Sequence, residues 1–331
     1  METGIIIEMV LLILVMVTTV GTNVITLFVI ACTDYLRNIN RVYLYSVTIS
    51  DLCVGLFIFP FALYSLIINS LGYPEINQKL CHLQAYTLVV LFLSGLYAIA
   101  WTNVDHYVAV RKPERYKVMM SPPRSLCWMG FAWIAAISFC SPPMLSFQDT
   151  RYYNEVFVCT IYIGSEIPYF ITAGVLALIP PLLVLIVTDV YLFTHGFKKK
   201  QKMYEAVLLD VSSRPRNYQI NFLVSVIYFG TWLPWCLIRF CSLFEESIPQ
   251  ELHFVTFWIA MGNGFYKFFI YTAMSVEYRR GLRELLRHCC SHFKCNCCDT
   301  VLPTRQNLTV NLTATRLVAK PSTSGPPPTI V

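Results

Sequence analysis

Residues 262–271 read GNGFYKFFIY, an apolar run interrupted by the single ammonium of Lys267. The flanking stretches, FVTFWIAM before it and TAMS after, are equally apolar. In a bilayer-spanning helix a central lysine costs roughly 2.5–3.5 kcal/mol on insertion scales unless something pairs with it. The fold turns on whether this segment is a membrane helix, and the chemistry turns on its partner.

Composition answers the first question. The chain has 331 residues, of which 56% are hydrophobic and only 13% charged, and its mean hydropathy is +0.56. Soluble domains run near 25% charged and about 45–50% apolar. The depletion of charge extends along the chain and predicts a polytopic membrane protein. Seven runs, near 5–31, 41–68, 79–110, 125–145, 167–195, 218–243 and 252–274, are long enough to cross a hydrocarbon core of about 30 Å. The expected fold is all-α, a seven-transmembrane helix bundle over 5–274 behind a short segment 1–4.

Basic residues fall on alternate connections. Arg37, Arg41, Arg111, Lys112, Arg115, Lys117, Arg124, Lys198, Lys199, Lys200, Lys202, Arg214, Arg216, Arg279, Arg280, Arg283 and Arg287 share one side. The other connections hold mainly acids, among them Glu75, Asp149, Glu155, Glu245, Glu246 and Glu251. Positive charge stays in the cytosol, so the N-terminus is expected outside and the C-terminus inside. The net charge of +6 follows from that asymmetry without any nucleic-acid partner. METGIIIE lacks the basic start of a cleavable signal peptide, so the first run is read as a span.

The chain has thirteen cysteines. Cys81 and Cys159 fall on the outer, oxidising side, where a bridge between them is expected. Cys289, Cys290, Cys295, Cys297 and Cys298 cluster in HCCSHFKCNCC after the last apolar run.

Seven runs, an outside N-terminus and the outer cysteine pair resemble the rhodopsin-like (class A) family of G-protein-coupled receptors. GTNVI supplies Asn23 and SVTISDL supplies Asp51, which in that family meet in the bundle core. Trp133 with Pro142 and Pro143 resembles the fourth helix, IPPLL the fifth, and TWLP, with Trp232 and Pro234, the sixth-helix switch motif. VEYRRGLRELLRHCC resembles a short amphipathic eighth helix on the inner leaflet, so 275–298 is taken as that helix with its cysteine cluster and 299–331 as a disordered cytoplasmic tail. ISDLCVGLFIFPF is distantly similar to the amine-receptor branch, yet Leu88 stands where that branch carries an aspartate, seven residues after Cys81. The resemblance therefore disfavours an amine ligand.

The pattern is broken at three places. The triplet at the foot of the third helix is Asp105-His106-Tyr107, with histidine in place of arginine. The seventh-helix motif is Lys267 to Tyr271, which keeps the tyrosine and loses an asparagine and a proline. The fifth-helix tyrosine falls on Asp189, or on Thr188 if Pro180 is matched instead of Pro181. In the family the asparagine replaced by Lys267 and the aspartate matching Asp51 line a sodium pocket. The resemblance implies an Asp51–Lys267 ion pair that substitutes for sodium, helped by Asn23 and Asn263, with Gly95 leaving room for the long side chain. Snorkelling of Lys267 to the interface is the other reading. A retinal-binding lysine would fall on Met261, about 9 Å of helix rise away, so an opsin is disfavoured.

His106 and Asp189 are expected to attract in an active state, more strongly once histidine, which titrates near 6.5, is protonated. Alternatively His106 hydrogen-bonds Asp105 and has lost the arginine's role. SSRPRNYQI offers no acid at the inner end of the sixth helix to lock the triplet, so constitutive activity is expected.

Ligand-facing family positions map to Leu88, Val89, Phe92, Ala173, Ala177, Trp232, Trp235, Cys236, Phe257 and Met261, with Arg239 one turn above Trp235. An apolar cavity with a cation at its mouth suits an amphipathic anion; alternatively Arg239 pairs with Glu245. The cysteine cluster reads either as zinc ligands with His288 and His292 or, by its place after a membrane-surface helix, as palmitoylation of Cys289 and Cys290. The second reading is preferred, and no metal or cofactor is expected. Thr329, Ile330 and Val331 fit a PDZ-domain ligand, and arrestin binding to the tail is a family expectation. No catalytic constellation is visible. The expected function is an orphan-like receptor in the plasma membrane signalling to a heterotrimeric G protein. The rival is a non-signalling seven-helix scaffold or modulator of other receptors.

Overall fold

A computed structural model describes residues 2–32, 41–72, 77–144, 149–161, 168, 171–172, 174–207, 218–242 and 248–292. The first span is Glu2–Cys32, the third Gln78–Arg111, the fourth Pro122–Met144 and the sixth Tyr218–Cys241. The second joins Arg41–Cys53 to Phe59–Ser70 through a π turn at Val54–Ile58, and the fifth runs through a π turn at Gly174–Leu178 into Ile179–Val207. Each wide turn lies just ahead of a proline, Pro60 in one case and Pro180–Pro181 in the other. Proline has no N–H and its ring collides with the carbonyl four residues back, so the turn that holds that carbonyl opens.

These are the helices long and apolar enough to cross a membrane unaided, six in all among the described residues. The seventh differs from the single run expected at 252–274. It consists of two helices, Gln250–Met261 and Asn263–Met274, broken at Gly262. A Cβ at Gly262 would lie 2.9 Å from the Phe265 ring and 3.3 Å from the Ile259 carbonyl oxygen, so a larger residue at the break would have to displace that ring.

The bundle is apolar outside, unlike a soluble protein, and its mainly apolar interior also holds a set of polar side chains. Val17, Phe57, Phe131, Val187 and Phe240 are each at least 60% exposed, whereas Thr19, Asn23, Ser50, Ser94, Asn103, Asp105 and Lys267 are buried. Hydrocarbon solvates the first set. The second set must find partners inside, because lipid offers none. The third span is the most buried of the six and packs against the second, fourth and fifth. Ser50 and Ser94 share a hydrogen bond of 2.9 Å between second and third spans, and Trp133 Nε1 donates to Ser46 Oγ at 2.9 Å from the fourth.

One end of the bundle carries an addition to the all-α plan. Strands β1 (Thr150–Tyr153) and β2 (Val158–Ile161) form an antiparallel hairpin with Tyr152 opposite Cys159. The Cys81–Cys159 disulfide, with Cα atoms 5.2 Å apart, ties it to the start of the third span. Gln84 Oε1 accepts from the Cys159 N–H at 2.7 Å. At the hairpin's turn Phe157 has φ 56°, a left-handed conformation costing a non-glycine residue about 1–2 kcal/mol. Burial of its ring against Phe254, with centroids 6.2 Å apart, offsets that cost.

The helix after the seventh span, Val276–His292, has the apolar stripe Tyr278, Leu282, Leu285 and Leu286 opposite Arg279, Arg280, Arg283 and Arg287. Residues through Gly281 belong to one compact unit and those from Leu282 to a second. The tail 299–331, with Thr329, Ile330 and Val331, lies outside the described residues, as do Arg214, Arg216 and Glu245. Cys289 and Cys290 lie on the helix, with side chains also outside the description.

Candidate functional site

Three polar layers line the axis of the bundle. In the central one, Lys267 Nζ sits 2.5 Å from Asp51 Oδ2, joining the seventh span to the second. The two side chains are only 10% and 16% exposed, so Lys267 points inward and does not snorkel. No second hydrogen-bond donor reaches Asp51 Oδ2 among the described residues. The two asparagines expected to help do other work: Asn23 Nδ2 donates to the Thr19 carbonyl at 2.8 Å, and Asn263 Nδ2 to Thr231 Oγ1 at 3.4 Å. Both are buried, and each amide has an acceptor of its own away from the carboxylate. A Cβ on Gly95 would find its nearest neighbour 3.9 Å away, and Gly95 lines a cavity of about 50 Å³ shared with Asp51, Lys267, Tyr228 and Trp232. Gly264 was not anticipated. A Cβ there would come to 3.0 Å from Asp51 Cβ and 3.3 Å from Thr19, so the missing side chain is what lets the seventh span approach the acid.

The layer toward the second basic connection holds the altered triplet. Asp105 Oδ1 accepts from Tyr116 Oη at 2.7 Å. His106 is buried, and Tyr107 meets Tyr191 edge-on at 4.8 Å. In this conformation Asp189 is held by Asn103, whose Nδ2 donates to Asp189 Oδ1 at 2.7 Å and to Ser225 Oγ at 3.1 Å. Asp189 thus has an amide partner in this conformation, whereas the His106–Asp189 attraction is expected of an active state. Asn103 lies one turn before His106 on the same helix and presents its amide at the depth of the acid. This trio ties third, fifth and sixth spans together. The Tyr271 and Tyr278 rings are tilted against each other with centroids 5.8 Å apart. Tyr278 shares a 2.9 Å hydrogen bond with Thr26 Oγ1, and burial pushes its phenol up to about 12, so it keeps its proton.

Toward the disulfide end lies a cavity of about 270 Å³. Leu88, Phe92, Trp232, Trp235, Arg239, Phe257 and Met261 all line it, as do Val89 and Cys236. Ala173 is outside the described residues, and Ala177 is buried in a cluster with Val90, Leu93 and Ala136. Trp232 is the floor. It meets Phe92 edge-on at 4.6 Å and Trp235 at 5.9 Å, and Trp235 lies 5.3 Å from Phe257. Pro234 sits inside the sixth helix between the two tryptophans.

The rim differs from the single cation expected. The hairpin contributes Tyr153 and Glu155, and the seventh span contributes His253. Arg239 Cζ stacks 4.4 Å over the Tyr153 ring. Glu155 had counted only as one acid of an outer loop, and the hairpin that turns it inward carries little sequence signal. His253 was detectable as the one imidazole in an apolar helix.

A family profile described as "7 transmembrane receptor (rhodopsin family)" matches residues 22–271. The histamine H2 receptor of Rattus norvegicus is 23% identical over 293 residues, covering 86% of this chain and 79% of that protein. G-protein coupled receptor 52 of Mus musculus is 24% identical over 305 residues, covering 87% and 83%. The substance-K receptor of Canis lupus familiaris is 22% identical over 311 residues, covering 89% and 77%. With the profile spanning most of the chain and the helices in place around an interior polar axis, this chain belongs to the rhodopsin family of seven-transmembrane receptors, non-enzymatic multi-pass proteins of the plasma membrane.

Proposed function

We propose that this receptor signals to a heterotrimeric G protein with appreciable ligand-free activity, and that the Asp51–Lys267 pair is its fixed internal cation switch. The ion pair at 2.5 Å carries the reading. A tethered ammonium occupies the place where a mobile cation would otherwise neutralise Asp51, so the switch does not depend on sodium. The disulfide end faces outside and the basic connections face the cytosol, in line with the charge asymmetry. Trp232 forms the floor of the outer cavity and also lines the small cavity beside the pair, which gives the two sites a shared wall. Similarity to a histamine receptor does not carry its ligand over, because Leu88 offers no carboxylate in the cavity. Palmitate on Cys289 and Cys290, arrestin on the tail and a PDZ scaffold at Thr329, Ile330 and Val331 complete the proposed partners.

His106 in place of the family's arginine favours a second reading, a receptor body that no longer couples and acts on other receptors. Ligand-free nucleotide exchange across G-protein subtypes, at matched surface expression, separates the two. Wild-type activity above mock that falls in Lys267→Asn supports signalling. A silent wild type restored by His106→Arg supports the scaffold.

A further inference from the structure

We propose that the outer cavity takes a small zwitterion with an apolar body, its ammonium on Glu155 and its carboxylate on Arg239. This rests on reading the chain as a receptor and names the chemistry of its ligand. Three buried polar atoms lacking a hydrogen-bond partner among the described residues belong to residues that line the cavity: Glu155 Oε2, His253 Nδ1 and Trp235 Nε1. His253 is itself only 6% exposed. Arg239 lines the same rim, and its guanidinium rests on the Tyr153 ring. Glu155 and Arg239 make no ion pair with one another. A buried carboxylate oxygen without a donor is costly and calls for one.

Charge decides among ligand classes. A plain anion would suit Arg239 but would bring a second carboxylate beside Glu155. A plain amine would suit Glu155 but would meet Arg239, with Leu88 offering it nothing deeper in the cavity. A zwitterion satisfies both groups, and His253 Nδ1, in the tautomer that carries a proton there, donates a further bond to the carboxylate. The volume of about 270 Å³ lies just below the usual range of ligand pockets, so a small body fills it and a long acyl chain would not fit inside. The aromatic walls Phe92, Trp235 and Phe257 suit an aromatic or branched apolar body.

The test uses the full-length receptor in lipid nanodiscs. It measures thermal unfolding and direct binding with L-tryptophan, tryptamine and indole-3-propionic acid, and with L-phenylalanine and L-leucine as alternative bodies. At least one amino acid is expected to bind and raise the unfolding temperature, with its two single-charge analogues at least about tenfold weaker, since a site built around a polar group rejects a ligand that leaves it unpaired. Glu155→Gln is expected to raise the acid analogue to parity with the amino acid, and Arg239→Gln to do the same for the amine. Arg239→Lys is expected to keep the zwitterion preference and so guards against a folding defect. An acid analogue that binds the wild type as tightly as the amino acid, or the absence of any shift across the panel, overturns the proposal. Binding is read without a G protein, so failed nucleotide exchange in the same preparation would remove the signalling reading and leave this result intact.

Discussion

At Lys267 a single substitution rewrites the electrostatics of the bundle. Removing one member of a buried ion pair leaves its partner uncompensated and typically costs about 3–5 kcal/mol. Lys267→Ala is therefore expected to lower surface expression and unfolding temperature, while Asp51→Asn/Lys267→Asn recovers most of the loss. A double variant no better than the single ones would sink the pairing. The pair also predicts a salt signature. Exchanging sodium for potassium is expected to leave wild-type thermal stability unchanged, and Lys267→Asn is expected to gain stabilisation by sodium. Gly264 permits the geometry, with a Cβ there only 3.0 Å from Asp51 Cβ. Gly264→Ala should cost about 1–3 kcal/mol through overpacking, visible as a lowered unfolding temperature with the ion pair's residues intact.

Among the elements, legibility followed the strength of local rules. Lys267 stood out because an ammonium in an apolar run has few tolerable places, and Asp51 was the acid at matching depth. The partners of Asn23 and Asn263 are not legible, because an amide accepts several kinds of partner and sequence does not rank the Thr19 carbonyl against a carboxylate across the bundle. The hairpin was harder still. Its strands are four residues each, and only the cysteine to Cys81 announced that it folds back over the helices. Yet it supplies Tyr153 and Glu155 to the cavity rim and buries Phe157 among the helices. Cys81→Ser is accordingly expected to abolish ligand binding with a smaller loss of ligand-free exchange, because the tie it cuts holds the roof and not the central layer. Equal losses in both assays would show that the hairpin braces the whole bundle.

Across the molecule, the three layers differ in how they resist motion. The roof is covalent, the centre is ionic, and the far layer is a hydrogen-bond trio, Asn103 with Asp189 and Ser225. Outward movement of the sixth span must break the Asn103–Ser225 bond, since Ser225 travels with it. Interhelical hydrogen bonds in membranes are worth about 0.6 kcal/mol on average, which shifts a two-state population roughly threefold. Ser225→Ala is thus expected to raise ligand-free nucleotide exchange about threefold while leaving the disulfide-end cavity unaltered. Asn103→Leu, which also takes the amide donor away from Asp189, is expected to raise exchange further and to lower thermal stability. Exchange that falls in both variants, at equal surface expression, would mean that the trio belongs to the signalling conformation and that the resting one is held by something else.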